Sequence, residues 1–190
     1  PVIYGPLHEM TRGDSSIGPF WWQGRNATQY INLYKYIQTY MHTTKGLHNI
    51  LWMFATVPYG APADHYPGSA FIDIVGLDLY PDTFSTLCSS YILGYYNTMT
   101  ALNKPFGFAE FAPCSGVGGA CPAGQDQNAY IVAGMNCMPK MSFWMNWSRE
   151  WGMMLHNNVG TLFNNPKVIT RDEVSYYGAT PYELSVTVSG

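Results

Sequence analysis

Short apolar runs alternate along the chain with longer segments in which apolar residues recur at helical spacing. The short runs predict buried strands at Pro1–Leu7, Asn49–Ala55, Phe71–Leu77, Pro105–Glu110 and Met141–Trp147. The segments with helical spacing are Asn26–Thr44, Leu87–Leu102, Gln125–Cys137 and Arg149–Leu162. Because near-continuous apolar strands that alternate with helices are typical of parallel sheets, the pattern predicts an α/β protein with its sheet buried under helices.

Polar and aromatic residues cluster where the predicted strands end. They are His8, Glu9, Asp78, Tyr80, Glu110, Asn146 and Trp147. In a (β/α)8 barrel, the rim formed by the carboxyl ends of the strands is where active sites are built. A doubly wound open sheet also alternates, but it usually carries a glycine-rich phosphate turn after an early strand. The glycines at 116–119 do not have that placement, so the sequence favours the barrel.

The composition narrows the class of ligand. Charged residues make up only 11% of the chain, aromatic residues make up 16%, and the net charge is −3. A nucleic-acid partner or an acidic membrane would require a basic patch, and no block of like charges occurs. The longest apolar runs are also too short to span a membrane. A surface poor in charge and rich in aromatic rings suits a neutral ligand such as a sugar.

The four cysteines allow three pairings, and one of them has local support. Cys114 and Cys121 flank a glycine-rich segment that is able to close into a small loop, so we expect them to be bridged in an oxidised, extracellular protein. Nothing local favours or opposes a pair between Cys88 and Cys137. Neither a CxxC motif nor a histidine-rich spacing is present, so bridges are expected rather than a metal site.

Two glutamates each end an apolar strand, Glu9 after the first strand and Glu110 at the end of the fourth. A carboxylate buried beside aromatic residues is costly, so it needs either a structural partner or a function. For one such glutamate, a structural role and a functional role are about equally supported. Two on the same rim, in a chain with only nine basic residues, favour function. Paired carboxylates that flank a sugar ring carry out glycoside hydrolysis.

A set of short segments between Pro1 and about Val174 carries a more specific signal. The segments are Gly5–Met10, Phe20–Trp22, Asn49–Trp52, Tyr66–Gly68, Asp73–Asp78, Ala109–Phe111, Trp147 and Val168–Glu173. In this order they resemble glycoside hydrolase family 26, the β-mannanase family of the large retaining-glycosidase clan. The resemblance implies a secreted, retaining endo-β-1,4-mannan hydrolase that acts by double displacement on a plant-type β-mannan or a related β-glycan. It implies neither a metal nor a cofactor.

The resemblance also assigns roles to residues. Glu9 matches the acid/base of the family and Glu110 matches its nucleophile. The position of Tyr80 implies a hydrogen bond to the nucleophile, and that of His8 implies orientation of the substrate and the acid. Two aromatic positions, Trp22 and Trp147, match residues that shape the sugar-binding sites.

The chain departs from the family pattern in two ways. Gly5 stands where the family usually has an arginine, four residues before the acid/base. The resemblance also begins at the fourth strand of the barrel, so residues 1–178 correspond to strands four to eight, and residues 179–190 to a linker or the start of another module. We therefore expect a longer chain, or a tightly associated partner that supplies the other part. The alternative function is that of a non-catalytic structural or carbohydrate-binding protein derived from such a glycosidase.

Overall fold

The computed structural model describes residues 1–12, 20–114, 123–148, 151–170 and 173. Its sheet has five parallel strands in the order β1-β2-β3-β4-β5. They are β1 (Val2–Tyr4), β2 (Ile50–Thr56), β3 (Ile74–Leu79), β4 (Phe106–Phe111) and β5 (Met141–Asn146). Each strand pairs with the next one along the chain, as in a barrel wall. The predicted fold class, a (β/α)8-type wall of parallel strands under helices, is confirmed.

The helices follow the strands on the outside of the sheet. They are α1 (Ala27–Thr39), α2 (Phe84–Leu87), α3 (Ser90–Thr100), α4 (Gln127–Cys137) and α5 (Val159–Phe163). Shorter turns lie at Tyr40–Thr44 (π-helical), Pro62–His65 and Met153–Leu155 (both 3₁₀). The Asn26 side chain accepts hydrogen bonds from the backbone amides of Thr28 and Gln29, which caps α1 at the first residue of the predicted helical segment.

The prediction of a single last helix over Arg149–Leu162 is wrong. Within the described residues of this segment, a 3₁₀ turn at Met153–Leu155 is separated from α5 by extended chain. Asn158 has a φ of +59°, in the left-handed region, so the chain changes direction immediately before α5. The helical spacing of apolar residues in this segment therefore comes from two short elements, the 3₁₀ turn and α5, rather than from one helix.

Side chains alternate between the two faces of the sheet. The outer face packs against the helices and includes Trp52, Phe54, Val75, Leu77, Phe106 and Phe108. The inner face carries a smaller cluster of Met53, Ala55, Ile74, Ala109 and Phe143. Glycine is required at position 107, because a Cβ there would lie 2.5 Å from the ring and the carbonyl oxygen of Phe143. The inner face is thus the narrow interior of a barrel wall.

The middle of the sheet is covered on both faces, whereas its edges are open. Every residue of β3 and β4 is buried. In contrast, Val2 and Ile3 of β1 are 57% and 50% exposed, and no residue of β5 is fully buried. The described residues form a curled half-barrel with two uncovered edge strands. None of their helices is both long and apolar enough to cross a membrane.

A disulfide bridge joins Cys88, just after α2, to Cys137 at the end of α4. The two cysteines are 49 residues apart, and closing a loop of that length stabilises the fold by about 4 kcal/mol if loop entropy alone is counted. The sequence contained no local signal for this pair, because the bridge depends on the packing of two helices. The predicted bridge between Cys114 and Cys121 involves a residue outside the described part of the chain and stays a prediction.

Candidate active site

The loop after β1 holds Glu9 in an unusual backbone conformation. Leu7 and Glu9 have φ values of +57° and +56°, in the left-handed region that non-glycine residues rarely adopt. The Glu9 amide donates a hydrogen bond to the carbonyl oxygen of Ala55 at 3.3 Å, which ties the loop to the end of β2. Such backbone strain persists where the surrounding structure enforces it, and it is concentrated at functional sites. The result is a glutamate with only 4% of its surface exposed.

Within the described part of the chain, the carboxylate of Glu9 has two hydrogen-bond partners. The Arg12 guanidinium donates to Glu9 Oε2 at 3.0 Å, and Gln23 Nε2 donates to the same oxygen at 3.4 Å. At Gly5, where the family pattern has an arginine, a Cβ would lie 3.0 Å from the end of the Met53 side chain. In this chain the positive charge beside Glu9 therefore comes from Arg12, three residues after it.

A register shift turns Glu110 toward the interior. Opposite β3, Leu77 pairs with Phe108 and the next residue, Asp78, pairs with Glu110, so Ala109 is skipped. Strict alternation would send Glu110 to the helix-covered face together with Phe108. The extra residue instead aligns Glu110 beside Asp78 on the inner face.

Two side chains hold the Glu110 carboxylate. The Tyr80 hydroxyl donates a hydrogen bond to Oε2 at 2.6 Å. His8 Nε2 lies 3.4 Å from Oε1. The resemblance implied that His8 orients the acid, whereas the structure places its ring against the other glutamate. Both oxygens of Glu110 therefore have a fixed neighbour.

Burial is the largest influence on the pKa values of Glu110, Asp78 and Tyr80. Burial raises the pKa of Glu110, and the charge of Glu9 raises it further. The Tyr80 hydrogen bond, and then the electrostatic influence of His8 and of Arg12, act in the opposite direction and lower this pKa. Burial first, and then the hydrogen bond to Glu110, raises the pKa of Tyr80, so its hydroxyl remains a donor.

Asp78 is a third carboxylate at the site. It is 1% exposed, and burial followed by the charges of Glu110 and Glu9 raises its pKa well above the usual range. The Glu110 amide lies near it, but neither oxygen makes a well-formed hydrogen bond within the described residues. The possible metal-ligating atoms of Asp78, His8 and Glu110 lie within 4.8 Å of one another. Among the described residues, these three are the ones at this site that could hold a metal ion.

A cavity of about 990 Å³ opens over these groups. Six aromatic side chains of the described residues line it: Phe20, Tyr59, Tyr80, Tyr91, Trp147 and Trp151. Both predicted glutamates, His8, Tyr80 and Trp147 face this cavity. Trp22 lies behind it, where its ring stacks on Phe20 at 4.6 Å and its Nε1 donates to the His8 carbonyl oxygen at 2.8 Å. Trp22 therefore supports the cavity wall and the backbone beside Glu9.

Parallel strands under helices, with two buried glutamates at an aromatic cavity, are the arrangement found in (β/α)8-barrel glycosidases. The sequence model of glycosyl hydrolase family 26 matches residues 1–173, and the chain belongs to that family.

Named relatives support the assignment. The chain is 31% identical over 183 residues to a mannan endo-1,4-beta-mannosidase of Bacillus subtilis (strain 168), covering 92% of this chain and 46% of that protein. It is 33% identical to mannan endo-1,4-beta-mannosidase A and B of Caldalkalibacillus mannanilyticus, covering 95% and 34%. The solved structure of the Bacillus subtilis mannanase BCman superposes with a TM-score of 0.71 at 30% identity, covering 87% and 47%. The chain spans less than half the length of these relatives.

Proposed function

We propose that this chain carries the catalytic pair of a retaining endo-β-1,4-mannan hydrolase. The observation that carries the proposal is the placement of Glu110, which Tyr80 and His8 hold from both sides, in the same cavity as Glu9. The names of the relatives support mannan as the substrate. The Cys88–Cys137 bridge supports secretion, because disulfides persist in oxidising compartments.

In the first step, a carboxylate oxygen of Glu110 attacks the anomeric carbon of the sugar. The bond from that carbon to the glycosidic oxygen breaks, and Glu9 gives its proton to the departing oxygen. The Tyr80 hydroxyl keeps the nucleophile pointing into the cavity. The products of this step are a shortened polysaccharide and a glycosyl ester on Glu110.

In the second step, Glu9 takes a proton from water, whose oxygen attacks the same anomeric carbon and releases Glu110. The Arg12 guanidinium, 3.0 Å away, is the countercharge of Glu9 once that residue is ionised. Two inversions at one carbon give net retention, which requires carboxyl groups about 5–5.5 Å apart.

We also propose that the first three strands of an eight-stranded barrel cover the open edges, supplied by a longer chain or by an associated chain. The inner face supports this, because a second cavity of about 550 Å³ has a mostly apolar lining that includes Ile3, Met53, Ala55, Ala109 and Phe143, beside Asp78 and Glu110. Exposed parallel edge strands are unfavourable in water. We therefore expect residues 1–190 alone to bind hydrophobic dyes and to melt without cooperativity. A compact, cooperatively melting monomer would contradict this.

The proposed function is tested by the release of reducing sugar from β-mannan by the protein with a complete barrel. We expect release by the native protein and none by its Glu110→Gln variant. Binding to mannan without any hydrolysis would contradict the proposal and favour the non-catalytic carbohydrate-binding role.

The Tyr80→Phe substitution is expected to move the acid limb of the pH profile of kcat/KM to higher pH. Glu110 must be ionised to attack, burial raises its pKa, and the Tyr80 hydrogen bond lowers it. Without the hydroxyl the pKa rises, so activity is lost earlier as the pH falls, by roughly one pH unit for one hydrogen bond to a charged group. Tyr36→Phe, at an exposed position of α1, is the control. An unmoved acid limb would mean that Tyr80 does not stabilise ionised Glu110.

A further inference from the structure

We propose that Tyr59 and Tyr91 form an additional sugar-binding subsite, here called the tyrosine platform, at the β2–β3 side of the cavity. This inference rests on the proposed function and names a further part of its substrate site. Tyr59 lies in the loop after β2, and Tyr91 lies in the first turn of α3. The two residues are 50% and 57% exposed, and both line the cavity that contains the two glutamates.

The position of the platform in the sheet order suits a polymer. Glu110 belongs to β4, and Trp147 follows β5 on one side of it. The platform comes from the loop after β2 and from the start of α3, which follows β3, on the other side. An extended chain that crosses Glu110 would therefore meet aromatic surface at both ends of the cavity. An endo-acting enzyme needs such contacts beyond the bond that it cleaves.

The platform is held rigidly. The Tyr91 hydroxyl donates to the carbonyl oxygen of Pro58 at 2.5 Å, and the Tyr95 hydroxyl donates to that of Gly60 at 3.1 Å. These two hydrogen bonds fix the residues on either side of Tyr59. The rings of Tyr91 and Tyr95 also contact each other edge to face, with their centroids 5.3 Å apart. A rigid aromatic surface loses little conformational entropy when a ligand binds.

The surroundings of the platform favour a neutral sugar. Among the described residues, the neighbouring cavity lining includes Val57, Pro58, Thr86, Leu87 and Ile92, which are uncharged. In this described part of the chain, the acidic and basic side chains that line the cavity lie near the reaction: His8, Glu9, Arg12, Asp78 and Glu110. A tyrosine ring offers an apolar face to the C–H groups of a pyranose and a hydroxyl to its polar edge. The platform therefore fits an unmodified hexose unit rather than a uronic acid or a sugar phosphate.

The test measures kcat/KM for β-1,4-linked mannooligosaccharides of two to six units, using the protein with a complete barrel. For Tyr59→Ala we expect a loss that grows with chain length and reaches roughly tenfold for mannohexaose. Tyr91→Phe keeps the ring and removes the loop hydrogen bond, so its length-dependent loss should be smaller. Tyr36→Ala removes an exposed tyrosine from α1 and should change none of the values.

Each other outcome overturns a defined part of the inference. An equal loss of kcat/KM for substrates of all lengths would mean that Tyr59 has a structural role. No loss at any length would also contradict the platform. Either result would leave the proposed function standing. If the native protein hydrolyses none of these substrates, the proposed function fails, and calorimetric titration with mannohexaose decides the platform. Weaker binding by Tyr59→Ala would then support it, and equal or absent binding would overturn it.

Discussion

Replacement of Glu110 by alanine is expected to lower kcat on β-mannan by roughly 10⁴-fold or more, because the reaction loses its covalent intermediate. The KM should change much less, since the aromatic side chains of the cavity remain. The space left by the carboxylate provides a direct test. Azide can occupy it and attack the anomeric carbon once, which gives an α-glycosyl azide from a β-linked substrate.

The matched control for this variant is Glu173→Ala. Glu173 is an exposed glutamate whose carboxylate bonds only to Thr170 among the contacts of the described residues. Its substitution should leave kcat unchanged. Full activity of Glu110→Ala, or a β-glycosyl azide from it, would contradict the role of Glu110 as nucleophile.

Replacement of Glu9 by alanine is expected to lower activity on mannan by about 10²–10⁴-fold, the usual contribution of general acid–base catalysis. The loss should depend on the leaving group. The sugar hydroxyl that leaves when mannan is cleaved needs a proton, whereas an activated aryl leaving group does not. The rate at which an aryl mannoside forms the glycosyl ester should therefore be close to that of the native protein. Hydrolysis of that ester should then become rate-limiting, because water has lost its base.

Azide separates the role of Glu9 from that of Glu110. In Glu9→Ala, azide is expected to attack the glycosyl ester on Glu110 and to yield the β-anomer. Equal losses for mannan and for the aryl mannoside would contradict the role of Glu9 as acid. If the two variants gave the opposite anomers, the assignments of Glu9 and Glu110 would be reversed.

Much of this architecture was predictable from the pattern of apolar residues. The predicted strands that correspond to β2 and β4 differ from the observed ones by only one residue at each end. The agreement is close because a strand that is buried along its length has a continuous run of apolar residues. The run at Phe71–Leu77 began too early. There the Phe71 amide bonds to the Gly68 carbonyl oxygen in a turn, and Asp73 accepts a hydrogen bond from the Trp52 amide before β3 begins.

The site was less predictable than the fold because it depends on local irregularities. Alternation alone would have directed Glu110 toward the helices, and the register shift at Ala109 has no clear sequence signature. The pairing of Arg12 with Glu9 is local, but it follows from the left-handed backbone at Glu9. Trp151 also lines the cavity, and no motif in the sequence marked it as a residue of the site.

The remaining contacts of the site join residues that are distant in sequence. Gln23 reaches Glu9 across 14 residues, and Tyr80 reaches Glu110 across 30. Only the resemblance to a known family indicated the second contact, and nothing indicated the first. Such pairs become visible once the order and register of the strands are known.

The central claim is that Glu110 forms a covalent bond to the sugar, and trapping that ester tests it most directly. A 2-deoxy-2-fluoro-β-mannooligosyl fluoride has a good leaving group, while its fluorine slows hydrolysis of the ester. After incubation with the protein carrying a complete barrel, the intact mass should increase by one glycosyl unit, and peptide mapping should place the label on Glu110. A label on Glu9 or another carboxylate, or an unlabelled protein that releases the α-anomer first from a natural β-mannooligosaccharide, would contradict the account.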